Sequence, residues 1–225
     1  MKFLATALIT LGFISTAQAA TLETYATGTA TPTTLGGYAM TDFGSTGNTG
    51  EFVTSIDSPL VGTAEFVDRY SNPEPMLRQT ADTTSWWNNG EASDYDVFLT
   101  GEHLITIFLP ENTRAFSFNV GANIGASSSN NAWLTATESN GSGIATKQWF
   151  NVSTANTPGF GIYADNSQGA CSSSLTSVTI DPIFWGFGNF SINQDTCSTS
   201  VPEASSLYLL AFGLLGLLGL ARKKV

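Results

Sequence analysis

Between residues 95 and 192 the chain alternates apolar and polar positions with a period of two. Three consecutive apolar sets follow this period: Tyr95, Val97 and Leu99; Ile105, Ile107 and Leu109; Phe116, Phe118 and Val120. Such alternation is typical of a β-strand that packs one face against a core. Further strands are predicted at 133–137, 146–152, 160–164, 175–180 and 184–192.

Turn-forming residues separate these runs. Asn140-Gly141 suits the left-handed turn of a hairpin between 133–137 and 146–152. Upstream, 51–56 and 63–67 are short β-type runs around Asp57-Ser58-Pro59, and no segment before residue 207 has a helical period. Short strands at regular spacing without alternating helices predict an all-β domain over 20–198, an antiparallel β-sandwich or jelly roll.

The two ends of the chain have a different composition. Residues 1–19 begin with Lys2, continue with an apolar stretch and end in Ala17-Gln18-Ala19, which predicts a secretory signal peptide. Residues 207–221 carry no charge and precede the basic residues Arg222, Lys223 and Lys224. Fifteen residues of helix span about 23 Å, so this is a minimal transmembrane helix with its basic end on the cytoplasmic side.

The sequence from 199 to 225 resembles a PEP-CTERM sorting signal. Its three parts occur in the family's order: the motif Val201, Pro202, Glu203, the Gly/Leu-rich helix, and the basic tail. Ala204 departs from the pattern, since the family usually repeats proline there. The resemblance implies recognition by exosortase, a membrane transpeptidase, after a transient stay in the inner membrane, and delivery to the cell surface or extracellular matrix. The alternative is an anchor that is never cut.

The charge balance excludes one class of partner. Residues 20–200 contain four basic and seventeen acidic residues, a net charge of −13, which repels nucleic acid. In an exported protein the two cysteines, Cys171 and Cys197, predict one disulfide that encloses twenty-five residues.

The sequence offers few residues that could be catalytic, and we do not expect the protein to be an enzyme. His103 is the single histidine, and its position beside Glu102 at a strand start favours an exposed strand-edge residue over a base. The seventeen acids do not exclude the carboxylate pair that a glycosidase needs, although the sequence does not single one out. No cofactor is predicted, except that Asp94 and Asp96 are candidate Ca²⁺ ligands, with ordinary turn residues as the competing interpretation.

Within residues 20–198, the sequence that most strongly suggests a binding function is Trp86 and Trp87 followed by Asn88 and Asn89. Aromatic rings stack on sugar rings and amides bind hydroxyls, so a loop with this sequence suits glycan binding. Core packing is the competing explanation, and in extended chain at most one of the two tryptophans would be buried.

Two functional hypotheses follow from these features. The first is a non-enzymatic surface or matrix protein, structural or associated with exopolysaccharide. The alternative is a carbohydrate-binding module that contacts glycan through the Trp86-Trp87 loop. A secreted hydrolase is a third and poorer fit.

Overall fold

The computed structural model describes residues 20–84, 86–87, 95–125, 130–164, 172–181 and 185–196. The chain divides into two compact units, 1–195 and 196–225, and the fold described below is that of the first. The segments predicted to be a signal peptide and a sorting signal with a transmembrane helix lie outside the described residues, as do Cys171 and Cys197. Within the described ranges the structure contains no helix with the length and apolar character that a membrane crossing requires.

Sixteen strands and one short 3₁₀ turn, Ala81–Thr83, make up the described secondary structure. In chain order the strands are β1 (Thr21–Tyr25), β2 (Thr34–Leu35), β3 (Tyr38–Ala39), β4 (Thr41–Asp42), β5 (Glu51–Val53), β6 (Ser55–Asp57), β7 (Thr63–Val67), β8 (Met76–Thr80), β9 (Asp96–Thr100), β10 (Ile105–Phe108), β11 (Thr113–Ala122), β12 (Asn130–Glu138), β13 (Gly143–Val152), β14 (Gly159–Tyr163), β15 (Leu175–Asp181) and β16 (Trp185–Gln194). The prediction of an all-β chain is confirmed.

The strands form two main sheets, and every strand pair is antiparallel. The large sheet has eight strands in the order β1-β14-β11-β16-β9-β8-β5, with β4 paired to β16. The small sheet has six strands in the order β13-β12-β15-β10-β7-β6. A two-stranded ladder of β2 and β3 completes the set.

The inner faces of the two sheets share one hydrophobic core. Phe66 of the small sheet packs against Phe98 and Phe187 of the large sheet, with ring centroids 5.3 and 5.4 Å apart. At the other end Phe150 meets Phe160 at 4.5 Å. Offset and tilted aromatic pairs of this kind stabilise a core beyond the area they bury. The architecture is therefore an antiparallel β-sandwich, as the sequence predicts.

Two details differ from the sequence prediction. The run 51–56 is not one strand, because Thr54 separates β5 in the large sheet from β6 in the small sheet. In β9 the residue that reaches the inner core is Phe98, whereas Val97 belongs to a separate apolar cluster on the outer face. Apolar side chains of β9 therefore lie on both faces of the sheet, so alternation alone does not identify its core side.

The outer face of the large sheet is covered in part by the segment that joins β1 to β5. Leu35 is fully buried there, and a Cβ atom on Gly161 of β14 would lie 2.7 Å from its Cδ1 atom. Glycine at this position permits the close approach of the covering chain. The part of the outer face that this segment leaves open contains the candidate site.

Candidate functional site

A second apolar cluster lies on the outer face of the large sheet, away from the main core. Trp87 and Tyr95 are buried in it, and the indole Nε1 of Trp87 donates a 2.8 Å hydrogen bond to the Tyr95 hydroxyl. A Cβ atom on Gly121 of β11 would lie 3.1 Å from the Trp87 ring. Trp87 is thus a packing residue, held on the sheet by its ring and by its N–H group.

Trp86 occupies a different environment from its neighbour. It is half-buried, and its ring meets that of Trp87 edge-on, with centroids 6.1 Å apart and an interplanar angle of 67°. The chain at 86–87 is a turn rather than a strand, yet only one of the two tryptophans is fully buried. Trp86 is therefore the member of the pair that remains available to a ligand.

Trp86 borders an open cleft with a volume of about 380 Å³. Cross-strand neighbours form its apolar floor: Phe52 of β5 pairs with Leu77 of β8, Leu77 with Leu99 of β9, and Leu99 with Gly186 of β16. A Cβ atom on Gly186 would approach Leu99 Cδ2 to 2.6 Å and Trp86 Cη2 to 3.2 Å, so glycine makes room for both side chains.

The cleft also has polar walls. The lining residues that carry polar side chains or carbonyl groups are Glu74, Thr100, Gly101, Glu102 and Asn123, and the apolar ones are Phe52, Pro75, Leu77, Trp86, Leu99 and Trp185. Phe52 is an exposed apolar member, with 67% of its surface accessible. Such a mixture of apolar area and a few convergent polar groups is typical of small-molecule sites.

Two glutamates are connected through one threonine on the cleft wall. The Thr100 hydroxyl donates to Glu74 Oε1 at 3.1 Å, and the Glu102 backbone N–H donates to the Thr100 hydroxyl at 2.9 Å. The Glu102 carbonyl in turn accepts a 2.8 Å bond from Nε1 of buried Trp185. These bonds fix the backbone of the cleft rim while the Glu102 side chain remains exposed.

The protonation behaviour of Glu74 reflects its position. Partial burial raises the pKa of its carboxyl above the ordinary value, and the negative charges of Glu102 and Asp68 act in the same direction. The hydrogen bond from Thr100 opposes this shift. Glu74 is therefore an acid of the cleft that keeps its proton to a higher pH than an ordinary glutamate.

The remaining candidate residues for Ca²⁺ and glycan binding are either buried or outside the described part of the chain. Asp96 is buried, and its carboxylate accepts bonds from the Ser45 and Thr46 hydroxyls, both at 2.8 Å, with Arg78 Nε at 3.6 Å. Asp94, Asn88 and Asn89 lie outside the described residues. Within the described part of the chain no group of three His, Cys, Asp or Glu side chains is arranged to hold a metal ion.

His103 lies exposed in a bend just before β10. Its exposure agrees with the interpretation of a surface residue. It is also absent from the residues that line the cleft.

A second group of tryptophans lies on the outer face of the small sheet. Trp149 of β13 pairs with Trp133 of β12, and Lys147 Nζ lies 3.8 Å above the Trp133 ring. Trp149 is 65% exposed. This surface is on the opposite side of the sandwich from the cleft, which makes Trp149 a natural control for Trp86.

Nothing in the sequence pattern singles out Phe52, Glu74 or Asn123 as site residues, and Glu102 is noted there only as the neighbour of His103. These residues are far apart along the chain and meet only because β5, β8, β9, β16 and β11 follow one another in the large sheet. The one signal present in the sequence was the Trp86-Trp87 pair, of which Trp86 borders the same cleft.

Comparison with known proteins yields little. No protein-family model matches the chain. No curated protein matches it either. Among solved structures, the chain is similar to the Family 11 carbohydrate-binding module of the cellulosomal cellulase Lic26A-Cel5E of Clostridium thermocellum, at 8% identity over 70% of this chain and 96% of that chain, with a TM-score of 0.21.

A second similar structure is a Family 11 carbohydrate-binding module from Clostridium thermocellum in complex with a beta-1,3-1,4-mixed-linked tetrasaccharide. The identity is 9% over 64% of this chain and 95% of that chain, and the TM-score is 0.19. TM-scores this low do not establish a shared fold, so the chemistry of the cleft itself has to carry the functional argument.

Proposed function

We propose that this protein binds polysaccharide outside the cell without cleaving it, and that the cleft beside Trp86 is the binding site. The observation that carries the proposal is the row of cross-strand neighbours from Phe52 to Gly186 with Trp86 beside it. This row provides an apolar surface bordered by hydrogen-bonding groups on the open side of the sandwich.

The chemistry of the lining matches that of a sugar. The C–H faces of pyranose rings pack on aromatic and aliphatic side chains, and their hydroxyls require donors and acceptors at the rim. Phe52 and Trp86 supply the former, while Glu74, Glu102 and Asn123 supply the latter. The volume of about 380 Å³ also lies within the range of about 300–1,000 Å³ that is common for ligand sites.

The cellular setting of this proposal comes from the two ends of the chain. A signal peptide over 1–19 would export the domain, and the PEP-CTERM-like tail from 199 to 225 would hold it transiently in the inner membrane until an exosortase-type enzyme removes the helix. The released domain would then meet exopolysaccharide at the cell surface or in the extracellular matrix.

The binding proposal is tested by comparing two tryptophan variants on a glycan array and on insoluble polysaccharides. Trp86→Ala should weaken binding by about tenfold or more, because aromatic anchors contribute most of the energy of such contacts. Trp149→Ala removes an equally large side chain from the opposite sheet and should leave binding unchanged. Wild-type protein that binds no polysaccharide, or equal losses in both variants, would refute the proposal.

The proposal that the protein does not cleave the polysaccharide needs its own test, since Glu74 and Glu102 both line the cleft. Incubation of each bound polysaccharide with the protein should release no new reducing ends. Release that disappears in Glu74→Gln or Glu102→Gln would instead identify a glycoside hydrolase.

A structural role in the matrix is the second candidate, and the observation that favours it is the three-part tail. Intact-mass measurement of the exported protein, from cells with and without the processing enzyme, tests the sorting step. A product that retains residues 207–225 in both strains contradicts sorting by cleavage and leaves an uncut anchor.

A further inference from the structure

The charged side chains that line the cleft in the described part of the chain are all acidic. Of the residues that the structure describes, two carboxylates line it, those of Glu74 and Glu102, and the charge of Asp68 reaches Glu74 as well. The other lining side chains are neutral. Any ligand that enters therefore faces only negative charge.

All four basic residues of the segment 20–200 lie elsewhere. Arg78 is buried beside Asp96, and Arg114 is buried and donates to the backbone carbonyls of Ser173 and Asp195. Neither guanidinium lines the cleft.

The remaining two cations lie over aromatic rings. The Arg69 guanidinium lies 5.3 Å from the Tyr70 ring centroid, and Lys147 Nζ lies over Trp133 on the small sheet. Since the sequence holds no further Lys or Arg between 20 and 200, no basic side chain is left to neutralise an anionic ligand in the cleft.

We infer that the cleft selects polysaccharides with free amino groups, such as de-N-acetylated hexosamine polymers, over polymers of uronic acid or sulfated sugars. The inference rests on the proposed function. A sugar ammonium group donates charge-assisted hydrogen bonds to the carboxylates, whereas a uronate would bring a third negative charge next to two unneutralised ones. Neutral sugars fall between these two classes.

The size of the preference follows from the exposure of the two glutamates. A single ion pair between exposed groups changes affinity by a factor of about two to five. Two such pairs at a partly buried rim give about tenfold tighter binding of a glucosamine oligomer than of its N-acetylated counterpart. Because Glu102 is exposed and Glu74 is only partly buried, the preference should decrease as salt is added.

The experiment is calorimetric titration of the protein with four oligosaccharides of equal length: glucosamine, N-acetylglucosamine, glucose and galacturonate. At mildly acidic pH and low salt we expect the glucosamine oligomer to bind best and the galacturonate oligomer worst. In Glu74→Gln combined with Glu102→Gln, the advantage of glucosamine over N-acetylglucosamine should disappear. Glu65→Gln, which removes one exposed charge from the small sheet, is the control and should preserve the advantage.

The outcomes separate the inference from the function on which it rests. If N-acetylglucosamine or glucose oligomers bind in a Trp86-dependent way but galacturonate binds equally well, the inference is wrong and the proposed function stands. The inference is also wrong if the glucosamine advantage survives in the double variant or disappears in Glu65→Gln. Binding of none of the four overturns the inference, and binding that is insensitive to Trp86→Ala overturns both.

Discussion

The indole N–H of Trp87 donates to the hydroxyl of Tyr95 at 2.8 Å inside a small apolar cluster on the outer face of the large sheet. This bond joins the chain before and after residues 88–94 and anchors the turn that carries Trp86. A buried tryptophan therefore positions the neighbouring one at the rim of the cleft, so Trp87 has a packing role and Trp86 is the residue that the proposed function assigns to binding.

Loss of this bond should destabilise the fold. Tyr95→Phe removes the acceptor and leaves a buried N–H group without it, which costs about 1–3 kcal/mol. We expect that decrease in the free energy of unfolding, measured by urea denaturation with tryptophan fluorescence. Tyr70→Phe, at a residue that is 72% exposed, is the matched control and should change stability little. Equal effects of the two substitutions would show that the bond contributes nothing.

The ion pair of Arg78 with Asp96 should contribute more to the stability of the fold than the ion pair of Arg78 with Glu51. Asp96 is buried and also accepts bonds from Ser45 and Thr46, so Asp96→Ala leaves a nearly buried guanidinium without its inner partner. The expected loss is about 3–5 kcal/mol. Glu51 is half exposed, and Glu51→Ala should cost about 0–1 kcal/mol. The same urea experiment checks both, and a larger loss for Glu51→Ala would contradict this assignment.

Asp68 should make stability depend on pH in the acid range. Hydrogen bonds from the backbone N–H and side chain of Asn72, and from the Tyr70 N–H, hold the pKa of Asp68 below its ordinary value of 3.8. A depressed folded-state pKa means that the contribution is present above the unfolded value and is lost as pH falls through the folded one.

The difference in unfolding free energy between the wild type and Asp68→Ala should therefore be constant from neutral pH down to about pH 5 and shrink below about pH 4. Urea titrations of both proteins across this range measure it. A difference that grows as pH falls would contradict the assignment.

Arg114 binds the described chain close in sequence to both cysteines of the predicted disulfide, Cys171 and Cys197. Its guanidinium binds the carbonyls of Ser173 and Asp195, which lie two residues from the two cysteines along the chain. We expect no free thiol in the exported protein under denaturing conditions, and a loss of about 3 kcal/mol on reduction. Alkylation of both cysteines without reductant would contradict the prediction.

The sequence predicted the strands best where local signals agree. Asn140-Gly141 marked the hairpin of β12 and β13, in which the backbone of Gly141 has a φ of 81°. Period-two alternation located β10, β11, β15 and β16 to within a few residues. In these segments turn chemistry and hydrophobic pattern point to the same element.

Alternation was a poorer guide in β9, where the apolar positions Val97 and Leu99 face outward. Whether an apolar position faces the main core or a second covered surface depends on what packs over the sheet, and this is a long-range property. Predicting the cleft also requires long-range contacts to be known, because Phe52 and Gly186 lie in one row only as a result of the strand order of the large sheet. Trp86 could be singled out from the sequence because tryptophan is rare and bulky. Only the structure, in which Trp87 contacts Tyr95, shows that Trp87 is the buried member of the pair.

The most direct test of the account is a two-dimensional ¹H–¹⁵N spectrum of the indole N–H groups during titration with a bound oligosaccharide. The chain has five tryptophans, so each can be assigned by substitution. If the cleft is the binding site, the Trp86 signal shifts in a saturable way while the Trp149 signal stays in place. A saturating ligand that leaves Trp86 unmoved, or that shifts Trp149 instead, would contradict the central claim.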